Sequence, residues 1–263
     1  FWEDTVNQIT RRSVMKGIAA GMPLAAVLAD PMLARAAADS LQTITIKTAD
    51  GRAVSGALAM PAKTPAPAML LVHEWWGLND QIKSVAAEYA NQGYIALALD
   101  MYDGKVAGSG DRDGARALMK AVQPSEGVAT VTAWAKWLKA HGKGTGKLGT
   151  VGWCFGGGWS LNTGIAEPVD ASVVYYGRVN KKATELARLK GPVLGHFATR
   201  DKWINKKMVG GFEAEMKKAG KAFATHWYEA DHAFANPTSS RYDKGDAKLA
   251  WQRTLQFLAK NLS

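Results

Sequence analysis

The hydrophobic pattern changes period along the chain. Residues 41–61, LQTITIKTADGRAVSGALAMP, alternate apolar and polar positions on both sides of ADGR, which predicts a β-hairpin. A solid apolar run follows at residues 68–74 (AMLLVHE), as expected of a strand buried on both faces. NDQIKSVAAEYANQG then sets Ile82, Val85, Ala86 and Tyr89 at helical spacing, with Asn79 or Asp80 as the N-cap and Gly93 as the stop. The alternation continues to the end. YIALALDMY, KLGTVGW, ASVVYYG, GPVLGHFAT and FATHWYEA read as strands. RDGARALMKAV, EGVATVTAWAKWLKAHG, GGGWSLNTGIA, KKMVGGFEAEMKKAGK and KGDAKLAWQRTLQFLAKN read as helices, and KKATELARLK as a helix or a loop with one. Strands alternating with helices predict an α/β fold, a mostly parallel central sheet with helices on both faces, entered through the N-terminal hairpin. No Pro- or Ser-rich linker divides the pattern, so one domain is expected.

The first residues follow a different logic. TRRSVMKG pairs Arg11 with Arg12, an uncharged stretch runs from Gly17 to Ala29, and ARAAADS supplies small residues at Ala34, Ala36 and Ala38. Charged start, short apolar middle and an A-x-A-like site describe a signal peptide, here of the twin-arginine type. Residues 1–38 are therefore expected to be a leader cut after Ala36 or Ala38, and residues 39–263 the folded domain. The expected location is the periplasm or outside a bacterial cell, reached through the twin-arginine export machinery.

Charge changes the picture little. The balance is +10, and removing residues 1–38 leaves +9. The lysines are dispersed, and no basic block interleaved with aromatics and no zinc-finger spacing is present, so a solvated basic surface is expected rather than a nucleic-acid partner. No apolar run reaches the ~18 residues of a bilayer span, so no stable membrane anchor is expected. A monomer is expected.

The chemistry centres on one thiol. Cys154 is the single cysteine, and an exported chain with one cysteine cannot form an internal disulfide. Gly152-Trp153-Cys154-Phe155-Gly156 stands between a predicted strand and a predicted helix and has the G-x-nucleophile-x-G form of a nucleophile elbow. Such a turn needs small residues on both flanks, and it lifts the nucleophile to the sheet's carboxyl edge at a helix N-terminus, which favours thiolate. A small hydrophobe packed at a Gly-rich turn is the simpler alternative.

A nucleophile needs a base and a group that orients the base. Asp201 follows the strand GPVLGHFAT, and His232 follows FATHWYEA; both then stand at the carboxyl edge. His73, His196 and His226 fall inside strand-like runs, and His141 ends a helix. Asp231 rivals Asp201, but neighbouring side chains diverge and it cannot easily reach the far nitrogen of His232.

From about residue 42 onward the chain resembles the dienelactone hydrolases (carboxymethylenebutenolidases), cysteine members of the α/β-hydrolase fold. The resemblance rests on VHEWWGLND, ALDMYDG, VGWCFGGG, VVYYG, FATRDKWI and HWYEADHAFA. It implies a cofactor-independent ester or lactone hydrolase with Cys154 as nucleophile, His232 as base and then acid, and Asp201 as orienter. It implies that Glu74 holds the resting thiol, and that the backbone N–H groups of Phe155 and Trp75 bind the oxyanion. The aromatic residues Trp75, Trp76, Tyr102, Trp153, Trp203 and Phe234 suggest a largely apolar cleft, though most would equally suit a core; Trp76, Tyr102, Lys105, Trp203 and Phe234 are the candidate substrate contacts. One departure stands out. Relatives that open dienelactone use two arginines to grip the substrate carboxylate, and the matching positions here are Gly104 and Asn236. Lys105, Arg178 or Arg241 are the possible substitutes. A fold that binds a small molecule without turning it over, and a redox or tethering thiol, are the rival functions.

Overall fold

The computed structural model describes residues 31–263. Most of the leader expected from the sequence, including Arg11, Arg12 and the stretch Gly17–Ala29, lies outside them. The described part opens with helix α1 (Pro31–Asp39). Its Ala34, Ala37 and Ala38 are buried, and the Ser84 hydroxyl donates to the Ala34 carbonyl at 2.9 Å. The alanine run thus packs on the domain as a helix.

Strands β1 (Gln42–Lys47) and β2 (Ala53–Ala59) form the antiparallel hairpin, with Gly51 at positive φ in its turn. Then come β3 (Ala66–Val72), α2 (Asp80–Asn91), β4 (Ile95–Leu99), α3 (Arg112–Ala121), α4 (Pro124–Lys139) and β5 (Gly144–Trp153). The second half comprises α5 (Phe155–Ala166), β6 (Ala171–Tyr175), α6 (Ala183–Leu186), β7 (Val193–Ala198), α7 (Lys206–Lys218), β8 (Phe223–Tyr228) and α8 (Lys244–Leu262). Asn79 is the N-cap of α2, accepting from the Ile82 N–H at 3.2 Å. The ambiguous stretch KKATELARLK contains only the four-residue α6. No helix among the described residues is long and apolar enough to cross a membrane.

The eight strands form one sheet in the order β1-β2-β4-β3-β5-β6-β7-β8. β1 and β2 pair antiparallel, as do β2 and β4; every pairing from β4 to β8 is parallel. Alternating side chains feed two faces. Met69, Leu71, Val151 and Val173 pack under α1, α2 and α8, while Leu70, Val72, Leu97 and Leu99 pack under α4 and Trp159. Leu70, Leu71 and Val72 are fully buried, each worth about 1.5–3 kcal/mol of apolar transfer. The strand order reverses at β3, whose neighbours are β4 and β5. The crevice at the carboxyl ends of these strands is where a doubly wound sheet places its ligand.

Candidate active site

Cys154 stands between β5 and α5 with φ +55° and ψ −115°, a conformation few residues other than glycine adopt. Its N–H donates to the Tyr175 carbonyl at 3.0 Å, and its carbonyl accepts from the Gly157 N–H at 3.1 Å. The turn is closed too tightly for side chains on its flanks. A Cβ on Gly152 would run into the Gly156 carbonyl, and one on Gly156 into the Val72 carbonyl. Cys154 itself is half-buried, and Phe155 opens α5, where a first-turn N–H has no acceptor within its own helix. Trp75 lies in the turn after β3 that the Gly77 N–H closes on the Glu74 carbonyl at 3.3 Å.

His232 lies in the loop after β8, and Asp201 in the loop after β7. Nδ1 of the imidazole and Oδ2 of the carboxylate are 2.6 Å apart. The other oxygen of Asp201 accepts from the Trp203 and Ile204 N–H groups at 2.8 and 3.0 Å. Burial raises the Asp201 carboxyl, but hydrogen bonds from His232, Ile204 and Trp203 outweigh it and hold it below its ordinary value. Burial likewise lowers the His232 imidazole, yet hydrogen bonding to Asp201 and to the Cys154 sulfur prevails and pushes it up to about 10. Asp231, the rival acid, instead pairs with Arg200 at 3.2 Å on the surface.

Glu74 is buried at the end of β3. Its Oε1 accepts from the Tyr176 hydroxyl at 3.1 Å, and its Oε2 from the Asn236 amide at 2.8 Å. Burial raises the Glu74 carboxyl above its ordinary value despite Asn236, His232 and Tyr176, which all pull it down. Tyr176 was not among the site residues expected from the sequence. It sits at φ +37° just past β6, its ring 5.1 Å from that of His232. The available signal was its place in VVYYG at a strand's carboxyl end.

The remaining expected residues divide. Trp203 is 59% exposed, with its ring edge-on to His232 at 5.3 Å. Trp76 is half-buried and edge-on to Trp75. Tyr102 is buried against His73 and Phe155, and among the described residues its hydroxyl has no hydrogen-bond partner. Burial and the nearby Cys154 sulfur and Asp100 raise that hydroxyl. Lys105 is exposed and lines a small surface cavity with Arg52 and Met101. Phe234 departs from expectation. It is fully buried in the core against Tyr176 and Tyr228, so it backs the cleft rather than facing it. Of the four other histidines, only His73 touches this group of side chains, against Tyr102 and Phe155. His73 joins two strand ends, its Nδ1 donating to the Glu74 carbonyl and its Nε2 accepting from the Met101 N–H, which fixes it neutral.

Sheet order, elbow and the loops after β7 and β8 define an α/β-hydrolase. The sequence pattern of the dienelactone hydrolase family matches residues 54–262, and the chain belongs to that family. It is 30% identical over 229 residues to the carboxymethylenebutenolidase of Pseudomonas putida, covering 82% of this chain and 95% of that one. It is also 30% identical to the protein Usf of Aquifex pyrophilus over 81% of this chain and 96% of the relative. In three dimensions it resembles a Klebsiella pneumoniae structure assigned as a dienelactone hydrolase, with a TM-score of 0.74 at 24% identity over 84% of this chain and 99% of that one. A thermophilic esterase of Thermogutta terrifontis shares the fold with a TM-score of 0.61 at 18% identity, over 85% and 95% of the two chains. The chain is a dienelactone hydrolase-like hydrolase of esters or lactones.

Proposed function

We propose that the hydrolysis runs through a thioester on Cys154, with His232 and Asp201 completing a Cys-His-Asp triad. The observation that carries this reading is the imidazole held on Asp201 at 2.6 Å at the sheet edge where the strained elbow presents Cys154. The thiolate attacks the ester or lactone carbonyl carbon, forming the C–S bond as the π pair moves onto oxygen. The Phe155 and Trp75 N–H groups receive that oxyanion; in such sites one donor is worth about 10²–10³-fold in rate. Collapse breaks the C–O bond, and the departing alkoxide takes the proton from His232. The neutral imidazole then deprotonates a water that attacks the thioester, and the acid leaves as the C–S bond breaks. Asp201 keeps the tautomer that aims the other ring nitrogen at the sulfur. Trp76 and Trp203 flank the substrate at the mouth, and Tyr102 forms part of the wall beside Phe155.

The test is turnover of p-nitrophenyl butyrate combined with intact-mass spectrometry. An acyl adduct on Cys154 should form and decay, and Cys154→Ala should abolish both adduct and turnover. Full activity in Cys154→Ala defeats the triad. A chain that binds the ester without turnover is a binding protein, and one recovered as a mixed disulfide is a redox thiol.

We also infer export through the twin-arginine route from Arg11-Arg12 and the apolar stretch that follows. N-terminal sequencing of protein from the periplasmic fraction tests it; an intact chain confined to the cytoplasm overturns it.

A further inference from the structure

The carboxyl of Glu74 is tied at both oxygens by uncharged donors. Tyr176 approaches from the end of β6 and Asn236 from the loop after β8, and both are buried. Asn236 cannot turn away, because its Oδ1 accepts from the Thr238 N–H at 2.9 Å and from the Thr238 hydroxyl at 2.7 Å. Its amide hydrogens are therefore committed to the Glu74 side. Among the described residues no lysine or arginine pairs with Glu74. Three nearby arginines are held elsewhere. Arg52 bonds the Thr130 hydroxyl and the Glu126 carbonyl, Arg200 pairs with Asp231, and Arg241 lies over the outer ring of Trp203 at 5.7 Å. The imidazole of His232 is engaged by Asp201.

We propose that this clamp makes the site one for esters or lactones without a charged group beside the reacting carbonyl, and that Asn236 is the residue that sets this selectivity. The inference rests on the hydrolase reading above. A carboxylate brought next to Glu74 would lose its hydration and meet no lysine or arginine paired there, while the charge of His232 is already engaged by Asp201, whichever protonation state Glu74 holds. If Glu74 is ionised, the two charges also repel. The basic balance of the chain acts in the opposite direction, drawing anions to the surface, so a preference for uncharged substrates has to arise in the pocket.

The experiment compares p-nitrophenyl butyrate with the mono-p-nitrophenyl ester of glutaric acid at neutral pH. The unaltered chain should favour the butyrate by about tenfold or more in kcat/KM. Asn236→Arg, which sets a guanidinium against Glu74, should move that ratio about tenfold toward the glutarate, through KM more than kcat. Asn236→Lys is the second variant should the arginine not fold, and the comparison in the unaltered chain stands without either. Equal or better turnover of the glutarate by the unaltered chain overturns the selectivity and leaves the hydrolase reading intact. A ratio unmoved in folded Asn236→Arg overturns the role of Asn236. Turnover of neither ester overturns this proposal and the hydrolase reading together.

Discussion

Asp201 reaches His232 across two loops. The residues are 31 positions apart, yet a 2.6 Å hydrogen bond joins them because β7 and β8 are parallel neighbours whose carboxyl ends open on the same edge. Asp231 is adjacent to His232 in the chain and still points away to Arg200. Sheet topology, not sequence distance, selects the carboxylate that His232 meets.

Asp201→Asn should keep the fold and lower kcat by roughly 10³–10⁴-fold, since the amide no longer favours the same imidazole tautomer. Asp231→Asn removes one arm of an exposed ion pair and should leave kcat unchanged. Steady-state kinetics of both variants on one p-nitrophenyl ester check the pair. Equal losses in both would break the assignment of Asp201.

The elbow glycines predict a stability effect. Gly152→Ala drives a methyl into the Gly156 carbonyl, and Gly156→Ala drives one into the Val72 carbonyl, both rigid backbone. Each variant should lose about 3 kcal/mol or more of unfolding free energy, in the range reserved for severe core strain. Gly210→Ala on α7 meets no atom within 4 Å and should gain about 0.5–1 kcal/mol from helix propensity. Urea titrations of the three variants measure it.

Much of this architecture was legible in the chain. Apolar runs marked β3 and β4, because strands covered on both faces carry no polar alternation. The elbow was legible because its steric demand restricts residue type at Gly152 and Gly156. The meeting of His232 and Asp201 was legible because both follow parallel strands whose carboxyl ends share one edge. The clamp on Glu74 was not legible, since Tyr176 and Asn236 stand 102 and 162 positions from it and neither is a residue type that announces a partner. Phe234 was misplaced for a related reason. An aromatic two residues past His232 can face the cleft or the core, and only the packing of Tyr176 and Tyr228 decides. The alanine run at residues 34–38 has the composition of a cleavage site and of a packed helix alike; burial against α2 is a tertiary fact.

Trp203 tests the mouth separately from the machinery behind it. Its ring is mostly exposed, touching His232 on one side and Arg241 on the other. Trp203→Ala should change unfolding free energy by no more than about 0.5 kcal/mol, as for an ordinary surface position. It should raise KM for an aromatic ester several-fold while kcat falls less, since the ring supplies contact area to bound substrate. Thermal unfolding and initial-rate kinetics on the same preparation separate the two effects. A large loss of stability with unchanged KM would assign Trp203 to the fold.

The charge state of His232 predicts how stability varies with pH. Its pKa in the folded chain is about 10, above the ~6.5 of an unfolded histidine, so the folded state binds the proton more tightly. That contribution is fully present below about pH 6.5 and is lost as pH rises through about 10. Asp201 behaves in the opposite sense. Its folded value lies below the ordinary carboxylate value, so its contribution is present above that value and lost as pH falls through the lowered one. His232→Gln removes the first effect and keeps the fold's other titrating groups. The unaltered chain should therefore lose more unfolding free energy than His232→Gln between pH 7 and pH 10, measured by urea titration at fixed ionic strength. Parallel curves for the two proteins across that window would show that the imidazole carries no extra proton in the folded state, and the resting site would then hold a neutral pair.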